Sequence, residues 1–255
     1  MSDWDLLVRA VGRRLRGERT IRFRDAQFAA DDLAVRKRNL SFLEEPRFAE
    51  AWRLAKEANR AGWSVGVPDI RWRAHIACWA ARHALNLEGD FVECGVHTGL
   101  LSMTIAHYLD FAKLDRTFYL FDTFAGIPIE TLGEGEREMA EEHNALLYFD
   151  CYEIAKANFA PYPNIKLVRG TVPETLEQTP IEKVAYLSID MNNSVAERAA
   201  LEHFWPKLSS GAVIVFDDYA GEGYSAQADT INEFCRDHGV APVNLPTMQG
   251  LLIKP

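Results

Sequence analysis

Short, nearly unbroken apolar runs recur through the last two thirds of the chain: FVECGV (91–96), TFYLFDT (117–123), IKLVRG (165–170), KVAYLSID (183–190) and AVIVFDD (212–218). Runs of this length without polar alternation fit strands buried on both faces, as in a parallel sheet. Between them, apolar positions fall at helical spacing and predict helices over 99–110, roughly 138–159, 195–208 and 225–238. The stretch IRWRAHIACWAARHALN (70–86) shows the same spacing ahead of the first strand. The end, PVNLPTMQGLLIKP, reads as two short strands turning at Gly250, and so tight a turn makes them antiparallel. The alternation predicts an α/β fold, a doubly wound, mostly parallel sheet of about seven strands with a terminal antiparallel hairpin. Residues 1–60 read instead as helices rich in Arg, Leu and Ala, and Pro68 breaks the chain. The expected organisation is therefore a helical N-terminal extension over 1–70 and the sheet domain over 71–255. One segment breaks the rhythm. FAGIPIETLGEGERE (124–138) is too long for an ordinary strand–helix loop. It reads as a lid spanning about 124–145, or as a disordered insertion.

Composition narrows the function more than the fold. The chain has 255 residues and a net charge of −9, unevenly spread. Residues 1–60 carry +4 and the rest −13. An acidic body argues against nucleic acid, which needs a basic face. The N-terminus lacks the apolar core and small-residue cleavage site of a signal peptide, and the apolar run at 75–85 is too short to span a membrane. Cys78, Cys94, Cys151 and Cys235 form no C-x-x-C pair, which fits a reducing cytoplasm. Trp63, Trp72, Trp79 and Trp205 read as core or interface aromatics, and with the helical N-terminus they suggest a homo-oligomer.

Ligands of open α/β sheets bind at the carboxyl ends of the strands. ECGVHTG (93–99) follows the first strand. Its glycines permit a tight turn and close backbone approach, but the G-x-x-x-G spacing is not the pyrophosphate cradle of NAD. Asp122 ends the second strand, where an acid can accept from both ribose hydroxyls. The pair points to a nucleoside without a pyrophosphate, hence S-adenosylmethionine. Asp190 ends the fourth strand, and Asp217 and Asp218 the fifth. Three neighbouring carboxylates repel unless something positive lies between them. A hard divalent cation, Mg²⁺ first, is the natural occupant; the plainer reading is one helix cap and two solvated acids.

In that order and spacing, ECGVHTG, LFDTFAGIP, YLSIDMN and VIVFDDY resemble the macrocin O-methyltransferase family, over about residues 88–255. The resemblance implies a class I, Rossmann-like fold and a Mg²⁺-dependent transfer from S-adenosylmethionine to a hydroxyl of a sugar or glycosylated metabolite. It implies that Glu93 and Gly95 line the methionine end of the cofactor, that Asp122 holds the ribose, and that Asp190, Asp217 and Asp218 bind the metal. His97, Thr98, Gly99, Thr123, Gly170 and Thr171 join Asp190 in the expected cofactor set. Relatives carry an Asp, the general base, where this chain has Asn192, which cannot take up a proton. Asn192 is then expected to orient the acceptor hydroxyl, and His97 or His143 to receive its proton. Two alternatives follow from Asn192: a non-catalytic cofactor-binding or scaffold protein, or a methyltransferase for a catechol-like acceptor that ionises easily.

Overall fold

The computed structural model describes residues 26–133 and 135–255. Two compact units are distinguished, Met1–Leu40 and Ser41–Pro255. In the first, β1 (Phe28–Ala30) and β2 (Leu33–Val35) form an antiparallel hairpin, with Ala29 opposite Ala34. Helix was expected here. Asp31 and Asp32, at φ of 52° and 54°, make the turn instead, in the left-handed region that Asp tolerates. The part of the helical expectation that falls on 1–25 lies outside the described residues. The boundary between the units falls at residue 40, not near 70, so the helix that follows belongs with the sheet.

That helix, α1 (Pro46–Ala58), opens with Pro46 in its first turn. The Glu45 side chain caps it by accepting from the Arg47 and Phe48 N–H groups. Next comes α2 (Arg71–Ala84). Ala74, Ala77, Ala80, Ala81 and Ala84 are all buried, and side chains this small let α2 lie close against the sheet. The rest of the unit is β3 (Asp90–Cys94), α3 (Leu100–Leu109), β4 (Phe118–Asp122), α4 (Arg137–Leu146), α5 (Tyr152–Phe159), β5 (Ile165–Arg169), β6 (Val184–Ile189), α6 (Ser194–Phe204), β7 (Leu208–Phe216), α7 (Ser225–Asp237), β8 (Val243–Asn244) and β9 (Gly250–Ile253).

The seven-stranded sheet runs β5-β4-β3-β6-β7-β9-β8. The first five are parallel, and β9 pairs antiparallel with β7 and β8. This is the expected doubly wound sheet with its terminal hairpin. One core, with Phe91, Phe118 and Tyr186, lies under α1, α2, α3 and α5. The other, with Val92, Phe121 and Ile214, lies under α6 and α7. Alternate strand residues feed opposite cores, which is why the strands read as unbroken apolar runs.

Two local expectations need correction. Gly250 begins β9, and the chain reverses before it at Pro246–Met248, where Met248 takes a φ of 66°. The single helix expected over 138–159 is two, α4 and α5, because residues 147–151 leave the helix and return. The expected lid segment is thus part loop and part helix.

Candidate active site

Strand register builds the site. Cys94 pairs with Phe121 on one side and Ile189 on the other, and Ile189 pairs with Phe216. The next residues, Gly95, Asp122, Asp190 and Asp217, therefore stand in one row at the carboxyl edge of the sheet, Asp122 as the last residue of β4 and the others just past their strands. Strand order reverses between β3 and β6, so the row crosses the switch point where such sheets open a crevice.

Gly95 cannot carry a side chain. Its φ is 88°, and a Cβ there would overlap the Asp190 carbonyl oxygen. The glycine is demanded by the neighbouring strand end rather than by a ligand. Gly99, at φ 91°, turns the chain into α3 and lies against the Phe159 ring. Asp122 clamps this loop. Its Oδ2 accepts from the Val96 and His97 N–H groups at 2.5 and 2.7 Å, and its Oδ1 from the Phe124 N–H at 2.6 Å. The Gly170 N–H donates to the Asp122 carbonyl at 2.9 Å. Thr123 Oγ1 donates to the Gly126 carbonyl, and Thr171 Oγ1 to Glu174, so both hydroxyls serve their own turns.

Asp190, Asp217 and Asp218 each offer an oxygen within 4.8 Å of the others. A buried cation reaches them. Arg73, in the first turn of α2, places Nη1 2.5 Å from Asp217 Oδ2 and 3.2 Å from Asp218 Oδ1. Gln249, fully buried just before β9, donates to Asp217 Oδ1 at 2.9 Å and accepts from Thr247 Oγ1. The Asp190 carboxylate makes no hydrogen bond or ion pair among the described residues. Burial and the charges of Asp217 and Asp218 hold its pKa well above the usual carboxylate range, with Arg73 opposing.

Further buried acids surround the row. Burial, with Asp217 and Asp122 adding, pushes Glu93 up to about 8, and its Oε2 has no partner. Glu197 is likewise pushed up to about 8 by burial, then by Asp218. Glu136 ties the 124–136 segment to the start of α6, accepting from the Gly133 N–H, the Ser194 N–H and Ser194 Oγ at 2.6 to 2.9 Å. Asn193 Nδ2 donates to Thr131 Oγ1 across the same seam.

Several buried polar atoms near this edge have no partner: Thr98 Oγ1, both ring nitrogens of His97, Trp63 Nε1 and Asn192 Oδ1. Asn192 is 6% exposed and sits at φ 53°. The His97 ring packs against Trp63, Tyr148 and Phe149, and burial lowers its pKa, so it is neutral at pH 7. His143, on α4, packs against the far side of this group, its ring 6.3 Å from that of Tyr148, with its pKa also lowered by burial. The acid acting on His97 is Asp122 and that on His143 is Glu142; the three aspartates act on neither.

The structure thus gathers Glu93, Gly95, His97, Thr98, Asp122, Asp190, Asp217 and Asp218 at one edge, and holds Gly170 and Thr171 beside Asp122. His143 reaches the group only through Tyr148. Three contributors escape a reading of the sequence, Arg73, Gln249 and Tyr148; Tyr224, which follows the paired acids and reads from the sequence as a pocket-lining or packing residue, joins them. Burial raises the pKa of both tyrosines, and Asp190 and Asp218 raise it further, which places the phenols beside the acids. A helical arginine, a tyrosine in a loop and a glutamine ahead of a terminal strand carry no local signal.

A family model described as Macrocin-O-methyltransferase (TylF) matches residues 21–246. Demethyldecarbamoylnovobiocin O-methyltransferase of Streptomyces niveus is 31% identical over 166 residues, 58% of this chain and 62% of the relative. Mycinamicin III 3''-O-methyltransferase of Micromonospora griseorubida is 26% identical over 167 residues, 61% of this chain and 64% of the relative. The chain thus spans under two thirds of the length of these relatives. Among solved structures, the O-methyltransferase NovP shares the fold with a TM-score of 0.67 at 23% identity, covering 81% of this chain and 97% of its own. Calicheamicin methyltransferase CalS11 follows with a TM-score of 0.57 at 18% identity, covering 87% and 98%.

Proposed function

Because the chain belongs to the macrocin O-methyltransferase family, we propose that it transfers a methyl group from S-adenosylmethionine to a hydroxyl of a small molecule, in a sugar or glycosylated metabolite. The observation that carries the reading is the row Gly95–Asp122–Asp190–Asp217 at the switch point, bordered by buried polar atoms that have no hydrogen-bond partner among the described residues. Buried polar groups are nearly always satisfied, so such a set at a crevice calls for a ligand. The relatives' names, which refer to a novobiocin precursor and to mycinamicin III, support a small-molecule acceptor.

When bound, S-adenosylmethionine supplies a methyl group already activated on a sulfonium. Two tasks are left to the protein, holding the acceptor oxygen in line and disposing of its proton. Asn192, which cannot take up the proton, is assigned the orienting of the acceptor hydroxyl by a hydrogen bond. His97, neutral and with both nitrogens unpartnered, is the first candidate for the proton, and His143 the second. Glu93, Thr98 and the loop from Gly95 to Gly99 border the cofactor's place, with Thr123, Gly170 and Thr171 supporting Asp122.

The donor set also fits a divalent cation such as Mg²⁺. Among the described residues, three carboxylates face the Arg73 guanidinium and the Asp190 carboxylate accepts no hydrogen bond, an oxygen-rich set of the kind that suits a hard cation. Asp190, Asp217 and Asp218 are the residues that would hold the ion, which would make an acceptor hydroxyl more acidic.

Trp79, 49% exposed on α2, supports a homo-oligomer, which light scattering after gel filtration tests. Four free, buried cysteines suit a reducing cytoplasm. Among the described residues, no helix is long and apolar enough to cross a membrane.

Calorimetric titration with S-adenosylhomocysteine tests the reading, with NAD as control. Micromolar binding of the former alone is expected. Binding of NAD in preference, or of neither, would overturn it. Methyl transfer to any hydroxylated acceptor would eliminate the non-catalytic alternative.

A further inference from the structure

We propose that Trp63 is a cofactor-binding residue, its indole N–H and the Thr98 hydroxyl together receiving the carboxylate at the methionine end of S-adenosylmethionine. The inference rests on the reading that this cofactor binds here. It adds to the cofactor set a residue from the segment between α1 and α2, which the sequence offers only as a core or interface aromatic. Two independent contacts bring the donors together. The Trp63 ring meets the His97 ring edge-on, with centroids 4.9 Å apart. One residue earlier, Gly62 lies so close to Thr98 that a Cβ on it would overlap Thr98 Oγ1. The chain is held on either side of this meeting. Asn158 Nδ2, on α5, donates to the Thr98 carbonyl at 2.9 Å, and Ser64 Oγ to the Leu146 carbonyl at 3.2 Å.

Trp63 Nε1 and Thr98 Oγ1 are both buried, and neither has a hydrogen-bond partner. Thr98 as a whole is fully buried. Buried polar atoms are nearly always satisfied, and an indole N–H can only donate, so the missing partner is an acceptor. The next residue, Gly99, starts α3 with no side chain capping it. The first N–H groups of a helix lack intrahelical partners and favour a negative group. Two side-chain donors at an uncapped helix start therefore call for an anion. A carboxylate has two oxygens and accepts from both donors at once. An amino-acid end carries an ammonium as well. Asp122 and Asp190, along the row, attract that ammonium and repel the carboxylate, which leaves the corner of Trp63 and Thr98 to the carboxylate.

The test is calorimetric titration of the full chain with S-adenosylhomocysteine and with its decarboxylated analogue, which keeps the adenosine and the ammonium. The readout is binding rather than turnover. Trp63→Phe keeps an aromatic ring against His97 and removes the N–H. It is expected to weaken S-adenosylhomocysteine by about tenfold or more, the effect of losing a hydrogen bond to a charged group. The decarboxylated analogue should bind wild type and Trp63→Phe within about twofold of each other. Thr98→Val should show the same selective loss, and it carries the test if Trp63→Phe does not fold.

Equal weakening of both ligands in the folded variants would mean that Trp63 and Thr98 only pack the loop, and would overturn the inference. So would unchanged affinity for S-adenosylhomocysteine. Failure of wild type to bind S-adenosylhomocysteine at all would overturn the cofactor reading and this inference with it.

Discussion

At the scale of single residues, the most constrained position is Gly95. Any side chain there meets the carbonyl of Asp190, and φ is positive as well. Gly95→Ala is expected to destabilise the protein by about 3 kcal/mol or more, and to weaken S-adenosylhomocysteine binding with it. Thermal melting and calorimetry check both. Glu197 gives a pH signature. Its pKa is raised from 4.5 to about 8, so between those values the folded state holds a proton that the unfolded state has lost. The stability tied to the neutral acid is complete below about pH 4.5 and is lost as pH rises to about 8, at about 1.4 kcal/mol per pH unit. Glu197→Gln should therefore melt higher than wild type by a margin that widens from pH 5 to pH 8. A constant margin across that range would contradict the assignment. Asp190, Asp217 and Asp218 were legible in the sequence because each ends an apolar run, where a polar residue must leave the sheet. Arg73 was not, because its spacing in IRWRAHIA is that of any helix, and only the packing of α2 directs it to the acids.

At the scale of elements, the strands were legible and the connections less so. Five runs predicted five parallel strands to within a few residues, because burial on both faces restricts the residue types of β3, β4, β6 and β7; β5, at the sheet's edge, exposes Lys166 and Arg169. The β1–β2 hairpin was missed, since its strands are three residues each and its signal is a pair of turn-forming aspartates. The break between α4 and α5 was missed too. There Tyr148 and Phe149 turn toward His97, and Asp150 Oδ1 accepts from the Tyr152 N–H where the next helix starts. The segment read as a lid is anchored, with Glu136 closing the start of α6. Glu136→Ala leaves three donors without their acceptor and should cost about 1–3 kcal/mol locally. Amide exchange at Gly133 and over Ser194–Glu197 should quicken, while exchange in β3 and β6 stays slow. Uniform quickening throughout would mean that the contact supports the whole fold rather than one seam.

At the scale of the molecule, the sheet edge joins the Asp122 clamp and the acid cluster into one unit, because Asp122, Gly95 and Asp190 are neighbours across β4, β3 and β6. S-adenosylhomocysteine at about one hundred times its dissociation constant should add about 2.7 kcal/mol of stability, seen as a rise in melting temperature of several degrees. NAD at the same concentration should add none. Asp122→Ala should abolish the rise by releasing the Val96–His97 loop. The fold class was legible from the alternation of apolar runs and helical stretches, whereas the Arg73–Asp217 ion pair appears only once α2 and the terminal hairpin meet. That meeting has a kinetic consequence. Positions 73, 190, 217 and 249 come from four separate segments of the chain, so local structure within any one segment does not bring them together. Contacts this distant in sequence close late. In a refolding experiment, amide protection in β9 should lag behind recovery of helical signal, which makes that protection a clock for the docking of β9 onto β7.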